Sequence, residues 1–173
     1  MRGNQLEQIV ATLNLNAVRY LVAGGLAVVA HGYVRFTADV DLIIQLEEDN
    51  LRRALAALAG LGYRPRAPVP IEAFADAATR NRWVAEKGLT VFSLHSPNMK
   101  ESEIDIFVEV PVDFERAYKA AARFEVAPGV TATFLGREDI VLSKELAGRP
   151  KDLIDVEKLK EIWEQAIETD TTD

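Results

Sequence analysis

Apolar and polar positions along the chain recur with two different periods, and each change of period marks an element. From Asn4 to about Leu15, the residues Leu6, Ile9, Val10 and Leu13 fall on one face at helical spacing, which predicts a first amphipathic helix. Residues 18–23 (VRYLVA) read as a short, mostly buried strand. Gly24-Gly25 and the apolar stretch LAVVAHG follow, so a strand, a glycine turn and a helix ending at Gly32 succeed one another. A second strand spans about Val40–Gln45. The spacing then predicts a helix over Glu47–Leu61, with Glu47, Glu48 and Asp49 at the end where the helix dipole favours anions. The proline-bearing PRAPVP segment breaks the pattern. Beyond it come a predicted helix over Ile71–Glu86 and strands over Thr90–His95 and Glu103–Val110, the second ended by Pro111. A hairpin is predicted from Arg123–Val126 and Thr131–Leu135 around Pro128-Gly129, and helices over Arg137–Ala147 and Lys151–Ile167 close the chain. The polar tail ETDTTD is expected to fray. With no repeat and no long linker, this order predicts one α/β domain over 1–173, its core at about 17–135 and a helical part at about 136–167.

Composition narrows the chemistry. At 173 residues and 49% hydrophobic content the chain is long and apolar enough to bury a core, which argues against disorder. No window offers the run of apolar residues a membrane span needs, and MRGNQLEQIV lacks the apolar stretch of a signal peptide, so a soluble, cytoplasmic protein with no membrane partner is expected. Zero cysteines exclude thiolate metal sites and cysteine nucleophiles. Two histidines, His31 and His95, are too few for a three-histidine zinc site, so any metal must sit on carboxylates. A net charge of −7 argues against general affinity for nucleic-acid backbone and leaves room for a local basic site.

Gly24-Gly25, then thirteen residues, then Asp39-Val-Asp41 is the most informative segment. Backbone approaches a polyphosphate closely only where side chains are absent, and the start of a following helix presents free N–H groups. Residues i and i+2 of a strand share a face, so Asp39 and Asp41 set two carboxylates side by side. Their repulsion is relieved by a divalent cation, and Mg²⁺ takes a few carboxylates together with water and substrate phosphates. Asp105, flanked by Ile104 and Ile106 in EIDIFVEV, is the candidate third acid; in the plainer alternative it merely faces water on a one-sided sheet. Haloacid dehalogenase-like phosphatases and metal-dependent glycosyltransferases also use Asp-x-Asp, but after an apolar strand. Here LII follows the acids.

With these residues the chain resembles the DNA polymerase beta-type nucleotidyltransferase superfamily, whose pattern is an apolar strand, Gly-Gly or Gly-Ser, a short helix, an Asp-x-Asp strand and a distal third acid. VAGGLAVVAHGYVRFTADVDLII and KELAGRPKDLIDVEKL are more closely similar to small bacterial proteins related to the AbiEii toxin family; the stretch from about 62 to 102 carries no motif. The resemblance implies a nucleotidyltransferase fold, a small mixed sheet with helices mainly on one face plus C-terminal helices, rather than a doubly wound parallel sheet. It implies that Gly24 and Gly25 hold a triphosphate, and that Asp39, Asp41 and Asp105 bind metal, two Mg²⁺ ions with Mn²⁺ as an alternative, Asp105 also serving as base. Arg35 and Thr37 match the family's loop; Arg35 either pairs with phosphate or neutralises the acids. Lys144 would contact nucleotide phosphate, and Lys151 and Asp152 would be structural or positioning groups, the alternative being an ordinary helix pair with a Lys151–Asp155 contact. His31, Trp83 and Trp163 read as packed residues rather than catalytic ones. The implied partners are an NTP, an acceptor that is RNA, protein or small molecule, and a cognate antitoxin or other protein. The implied activity is transfer of an NMP from the NTP to that acceptor, in the setting of a toxin–antitoxin or phage-defence pair. A non-catalytic binding module or an antitoxin or regulatory subunit of the same fold are the alternatives.

Overall fold

The computed structural model describes residues 3–98 and 102–171. Seven strands form one mixed sheet in the order β3-β4-β5-β2-β1-β7-β6. The strands are β1 (Tyr20–Ala23), β2 (Val40–Ile44), β3 (Arg64–Pro65), β4 (Val91–His95), β5 (Ile104–Phe107), β6 (Ala122–Ala127) and β7 (Val130–Phe134). β2 runs parallel to β5 and β1 parallel to β7, while the other pairings are antiparallel. The central strand β1 is apolar and buried along its whole length, and β2 is apolar and buried apart from Asp41, which faces the cleft.

The helices are α1 (Gly3–Leu15), α2 (Gly24–Ala30), α3 (Glu48–Gly60), α4 (Ala77–Lys87), α5 (Phe114–Lys119), α6 (Arg137–Ala147) and α7 (Pro150–Asp170). One sheet face carries the main helical layer. α1 packs on α3, α3 on a 3-10 turn at Ile71–Ala75, and that turn on α4, with Phe74 and Trp83 both stacked on Phe92 of β4. The other face carries Asp41, Asp105 and Phe107, and faces α6 across a cleft. No helix among the described residues is long and apolar enough to cross a membrane.

Several boundaries depart from the expectations. The helix predicted over Ile71–Glu86 is broken at Asp76, whose extended backbone and side chain cap α4 by accepting from the Thr79 amide at 2.9 Å. β5 ends at Phe107, short of Pro111, because β4 begins only at Val91 and leaves one further partner, the Thr90 carbonyl for the Val108 amide. The unassigned stretch after Gly62 supplies β3, and α5 appears where no helix was expected, capped by Asp113, which accepts from the Arg116 amide at 2.8 Å. The tail expected to fray is helical as far as Asp170, and its last two residues lie outside the described residues.

Candidate active site

The parallel register of β2 and β5 sets Asp41 opposite Asp105, and in-register neighbours project to the same face of a sheet. On the far side of β5, Ser93 of β4 stands opposite Asp105, and its hydroxyl donates to Asp105 Oδ1 at 2.6 Å. Asp39 lies one residue before β2 and is exposed. Asp41 is the acid most affected by the cluster. Burial first, then the charges of Asp105 and Asp39, push its carboxyl up to about 6, against smaller opposing effects of Lys144 and Arg149.

Glycine at positions 24 and 25 makes room for the site's own side chains. Gly24 has φ +62°, and a Cβ there would lie 1.9 Å from Asp41 Oδ2; one at Gly25 would lie 2.5 Å from Thr37 Oγ1 and 3.2 Å from an Arg35 nitrogen. The turn therefore lets the Asp41 carboxylate and the 31–39 loop rest against backbone. Because α2 has only seven residues, close backbone approach matters more here than a long helix dipole.

Across the cleft, three cations meet two buried aspartates of α7: Lys144 from α6, Arg149 from the turn before α7, and Arg35 from the 31–39 loop. Lys144 Nζ donates to Asp152 Oδ1 at 3.0 Å and Asp155 Oδ2 at 2.8 Å. Arg149 holds Asp152 at 2.6 and 3.2 Å, and Arg35 grips Asp155 with two bonds of 2.8 Å. Burial pushes both carboxyls up, but the bonds from Arg149 and Lys144 to Asp152, and from Arg35 and Lys144 to Asp155, outweigh it and hold both below the usual range. Arg35 thus pairs with Asp155 of α7 rather than with the acids of β2 and β5, and it also lines the smaller lobe of the cleft. The alternative Lys151–Asp155 contact is not formed among the described residues, and Lys151 is exposed at the cleft rim.

The cleft has two lobes. A smaller one of about 250 Å³ is lined by Gly24, Gly25, Thr37, Asp39 and Lys151, and a larger one of about 530 Å³ by Asp105, Ile43, Phe107 and Leu146. Gly24, Asp41, Lys144 and Arg149 border both. All the residues singled out from the sequence as acids or phosphate contacts lie on this cleft. His31 does not: its Nε2–H donates to the Leu135 carbonyl at 2.8 Å, with the ring edge-on to Phe124 and Trp163. Burial depresses its pKa. Trp83 is core, and Trp163 donates its indole N–H to the His31 carbonyl at 3.2 Å.

Ser93 and Asp155 were not assigned to the site from the sequence. Ser93 gives no local signal, since its role depends on strand register. Asp155 looks like one acid of a charged helix until α7 folds against the 31–39 loop.

The donors present suit a hard divalent cation. They are oxygen-only, they crowd charge enough to raise the Asp41 carboxyl, and they open onto a polar lobe. Among the described residues no three acidic or imidazole side chains are gathered closely enough to enclose an ion by themselves. Such a set fits a cation that completes its shell with water and substrate oxygen, as Mg²⁺ does.

A mixed sheet with acids paired across β2 and β5 beside a glycine turn defines a nucleotidyltransferase-type protein. The chain matches, over residues 4–168, the family described as "Nucleotidyltransferase of unknown function (DUF6036)", and belongs to it. Its fold is similar to that of the lincosamide antibiotic adenylyltransferase LnuA in its lincomycin-bound form, with a TM-score of 0.59 and 16% identity over 92% of this chain and 96% of that one. It is also similar to ANT(2")-Ia in complex with adenylyl-2"-tobramycin, with a TM-score of 0.51 and 13% identity over 94% and 98% of the two chains. An antigenic nucleotidyltransferase-like protein from Paracoccidioides brasiliensis gives 0.53 and 17% identity over 91% and 77%. At these identities the likeness is one of fold. No curated protein matches the sequence. Family and fold thus agree on the nucleotidyltransferase class of enzyme, the coarser part of the expected resemblance.

Proposed function

We propose that the protein transfers a nucleoside monophosphate from an NTP to a hydroxyl-bearing acceptor, with Asp39, Asp41 and Asp105 as the acidic centre. One observation carries the reading: Asp41 borders both lobes of the cleft, opposite Asp105 and against the Gly24-Gly25 turn, with Lys144 and Arg149 facing it. In this reading the smaller lobe takes the triphosphate, whose oxygens meet the Gly24-Gly25 backbone, Thr37, Lys144, Arg149 and Lys151. Arg35 orients rather than binds, by tying the loop that carries Thr37 and Asp39 to α7. The acceptor enters the larger lobe, where Asp105, oriented by Ser93, takes its hydroxyl proton. The acceptor oxygen then bonds to the α-phosphorus, the bond from that phosphorus to the bridging oxygen breaks, and pyrophosphate leaves. Mg²⁺ held by Asp41 with Asp39 and Asp105 would supply charge neutralisation on the triphosphate and acidify the attacking hydroxyl.

The test offers α-labelled NTP and Mg²⁺ to the protein with fractionated RNA, protein and small molecules as acceptors. The natural chain should label one fraction and release pyrophosphate. Asp41→Asn should lower the rate by about two to three orders of magnitude, the usual scale for losing transition-state charge stabilisation. Lys144→Ala should weaken NTP binding and turnover together. NTP binding without labelling of any fraction would favour a binding module over an enzyme.

The two motif blocks that resemble AbiEii-related proteins support a finer role as the toxin of a two-gene pair, working in the cytoplasm where NTP is abundant. Induced expression in a bacterium should arrest growth, Asp41→Asn should not, and the product of a neighbouring gene should relieve the arrest. Growth unaffected by the active chain would remove the toxin role and leave the transferase reading intact.

A further inference from the structure

Beside the cleft, a second cavity opens where the sheet is left uncovered. β3 pairs with β4 at only Arg64–His95 and Pro65–Leu94, and the Arg66 amide then donates to the Ser93 carbonyl at 3.0 Å. Past that bond the chain turns on itself, the Val69 amide donating to the Ala67 carbonyl at 2.8 Å, and Pro68 and Pro70 have no N–H to continue a ladder. Among the described residues, no strand therefore covers the β4 edge at Val91 and Phe92. From below, α4 ends at Gly88, whose left-handed φ of +60° turns Leu89 back toward the notch.

The resulting cavity measures about 240 Å³ and is walled by Ala67, Val69, Trp83, Leu89, Val91 and Phe92. Its floor is rigid, because Trp83 stacks on Phe92 with ring centroids 5.6 Å apart and Phe92 on Phe74 at 4.7 Å. The rim is cationic in a chain of net charge −7. Arg66 is shared with Glu103, whereas the exposed Lys87 has no acidic partner among the described residues. Two residues join this cavity to the cleft: Val91 lines both, and Ser93 lines the cavity while its hydroxyl holds Asp105.

We propose that this notch binds a small apolar anion, a fused-ring or aryl group bearing a carboxylate or sulfonate, with the rings on Trp83 and Phe92 and the anion at Lys87. An apolar cavity with a few convergent polar groups is the usual form of a small-molecule site. Desolvated rings gain from the aromatic floor, and the rim charge selects anions over cations. Its shared wall with the larger lobe makes it the distal part of the acceptor side. That last assignment rests on the nucleotidyl-transfer reading, while the binding itself does not.

The test uses the full chain with Trp163→Phe, which leaves Trp83 as the sole reporter of the chain's two tryptophans. Titration with 8-anilinonaphthalene-1-sulfonate should quench Trp83 emission saturably at one probe per chain. Lys87→Glu should raise the dissociation constant by roughly tenfold or more. Ala67→Phe, a substitution at an exposed wall position, should abolish binding by filling the notch. Neutral N-phenyl-1-naphthylamine should bind more weakly than the sulfonate and be indifferent to Lys87→Glu. Should Trp163→Phe fail to fold, probe emission with the natural Trp163 in place gives the same constants. Absent or unsaturable quenching, wild-type affinity in both Lys87→Glu and Ala67→Phe, or equal affinity for the neutral and charged probes would each overturn the proposal. Because no turnover enters the assay, a chain that transfers no nucleotide can still pass it, and an active one can fail it.

Discussion

Asp41 trades stability for a charged site, and the sign of that trade is measurable. Its carboxyl is raised from 3.8 to about 6 in the folded protein, so between those values the folded state binds the proton more tightly than the unfolded chain. Stability must then fall as pH rises through that window, by about 3 kcal/mol at most, since one pKa unit is about 1.4 kcal/mol. Without metal, urea unfolding should give a lower free energy at pH 7.5 than at pH 4.5. Asp41→Asn should flatten that decline and be the more stable variant at pH 7.5. Mg²⁺ should raise the melting temperature of the natural chain and leave Asp41→Asn unmoved; equal shifts in both would put the ion elsewhere. Gly24 supports Asp41 sterically. Gly24→Ala incurs a left-handed backbone penalty of about 1–2 kcal/mol and also drives a methyl into the Asp41 carboxylate. Gly88→Ala has a similar φ and open space around it, so it should cost only the backbone part, about 1–2 kcal/mol. Comparing the two melting curves separates conformational strain from displacement of the acid. That the glycine pair and the three acids belong to one candidate site was legible in the sequence, because residue type and spacing single them out and the fold places them on one cleft. What the glycines accommodate was not, because Asp41 and Thr37 meet them only through strand pairing and loop closure.

At the scale of elements, Asp155 is the clasp between the 31–39 loop and the C-terminal helices. Its carboxylate, only 2% exposed, accepts from both Arg35 and Lys144. Removing one partner of a buried ion pair commonly costs about 3–5 kcal/mol, because the other charge stays desolvated. Asp155→Ala should approach that loss in chemical denaturation. Arg35→Ala should cost less, since Arg35 is 27% exposed and Lys144 would keep both aspartates. Both variants should raise the KM for NTP more than they change kcat, by loosening the loop that carries Asp39 and Thr37. The depressed pKa values of Asp152 and Asp155 give acid lability of the opposite sign to Asp41: their contribution is complete above about pH 4 and disappears as pH falls below it. Periodicity placed α1, α3, α6, β2 and β4 to within a residue, and ran β1 two residues too early and β5 three too far. It could not place the break at Asp76, because the apolar residues of Ile71–Ala75 and α4 keep a helical spacing across it. Nor could it give β3, whose two residues are a strand only by virtue of β4 beside them.

At the scale of the molecule, the chain divides into a rigid layer and a clamped one. α1, α3, the 3-10 turn and α4 bury their apolar faces against the sheet, and Leu13, Leu51, Leu58 and Phe74 have no exposed surface. α6 and α7 contribute fewer apolar residues to that core, chiefly Ile140 and Leu159, and are otherwise held by polar and edge contacts: Arg35 with Asp155, Arg116 with Asp139, Trp163 with the His31 carbonyl, and Ile162 with Gly32. The cleft lies between that helical pair and the sheet, so a triphosphate in the smaller lobe would span from Gly24-Gly25 to Lys144, Arg149 and Lys151 and add links where few exist. Amide exchange reads such local openings directly, because segments with few buried apolar contacts open below the global free energy. ATP with Mg²⁺ should therefore slow exchange over residues 24–40 and 143–155 and leave α3 unchanged. Asp155→Asn, with the clasp weakened, should show faster exchange in both segments before nucleotide is added and recover only part of the protection after it. Lys151→Ala removes one end of the span without touching the clasp, so its free protein should match the natural chain and its bound form should lose protection at the start of α7 alone. Slowing spread evenly over all elements would mean that nucleotide acts through global stability, and protection confined to the larger lobe would reverse the assignment of the two lobes.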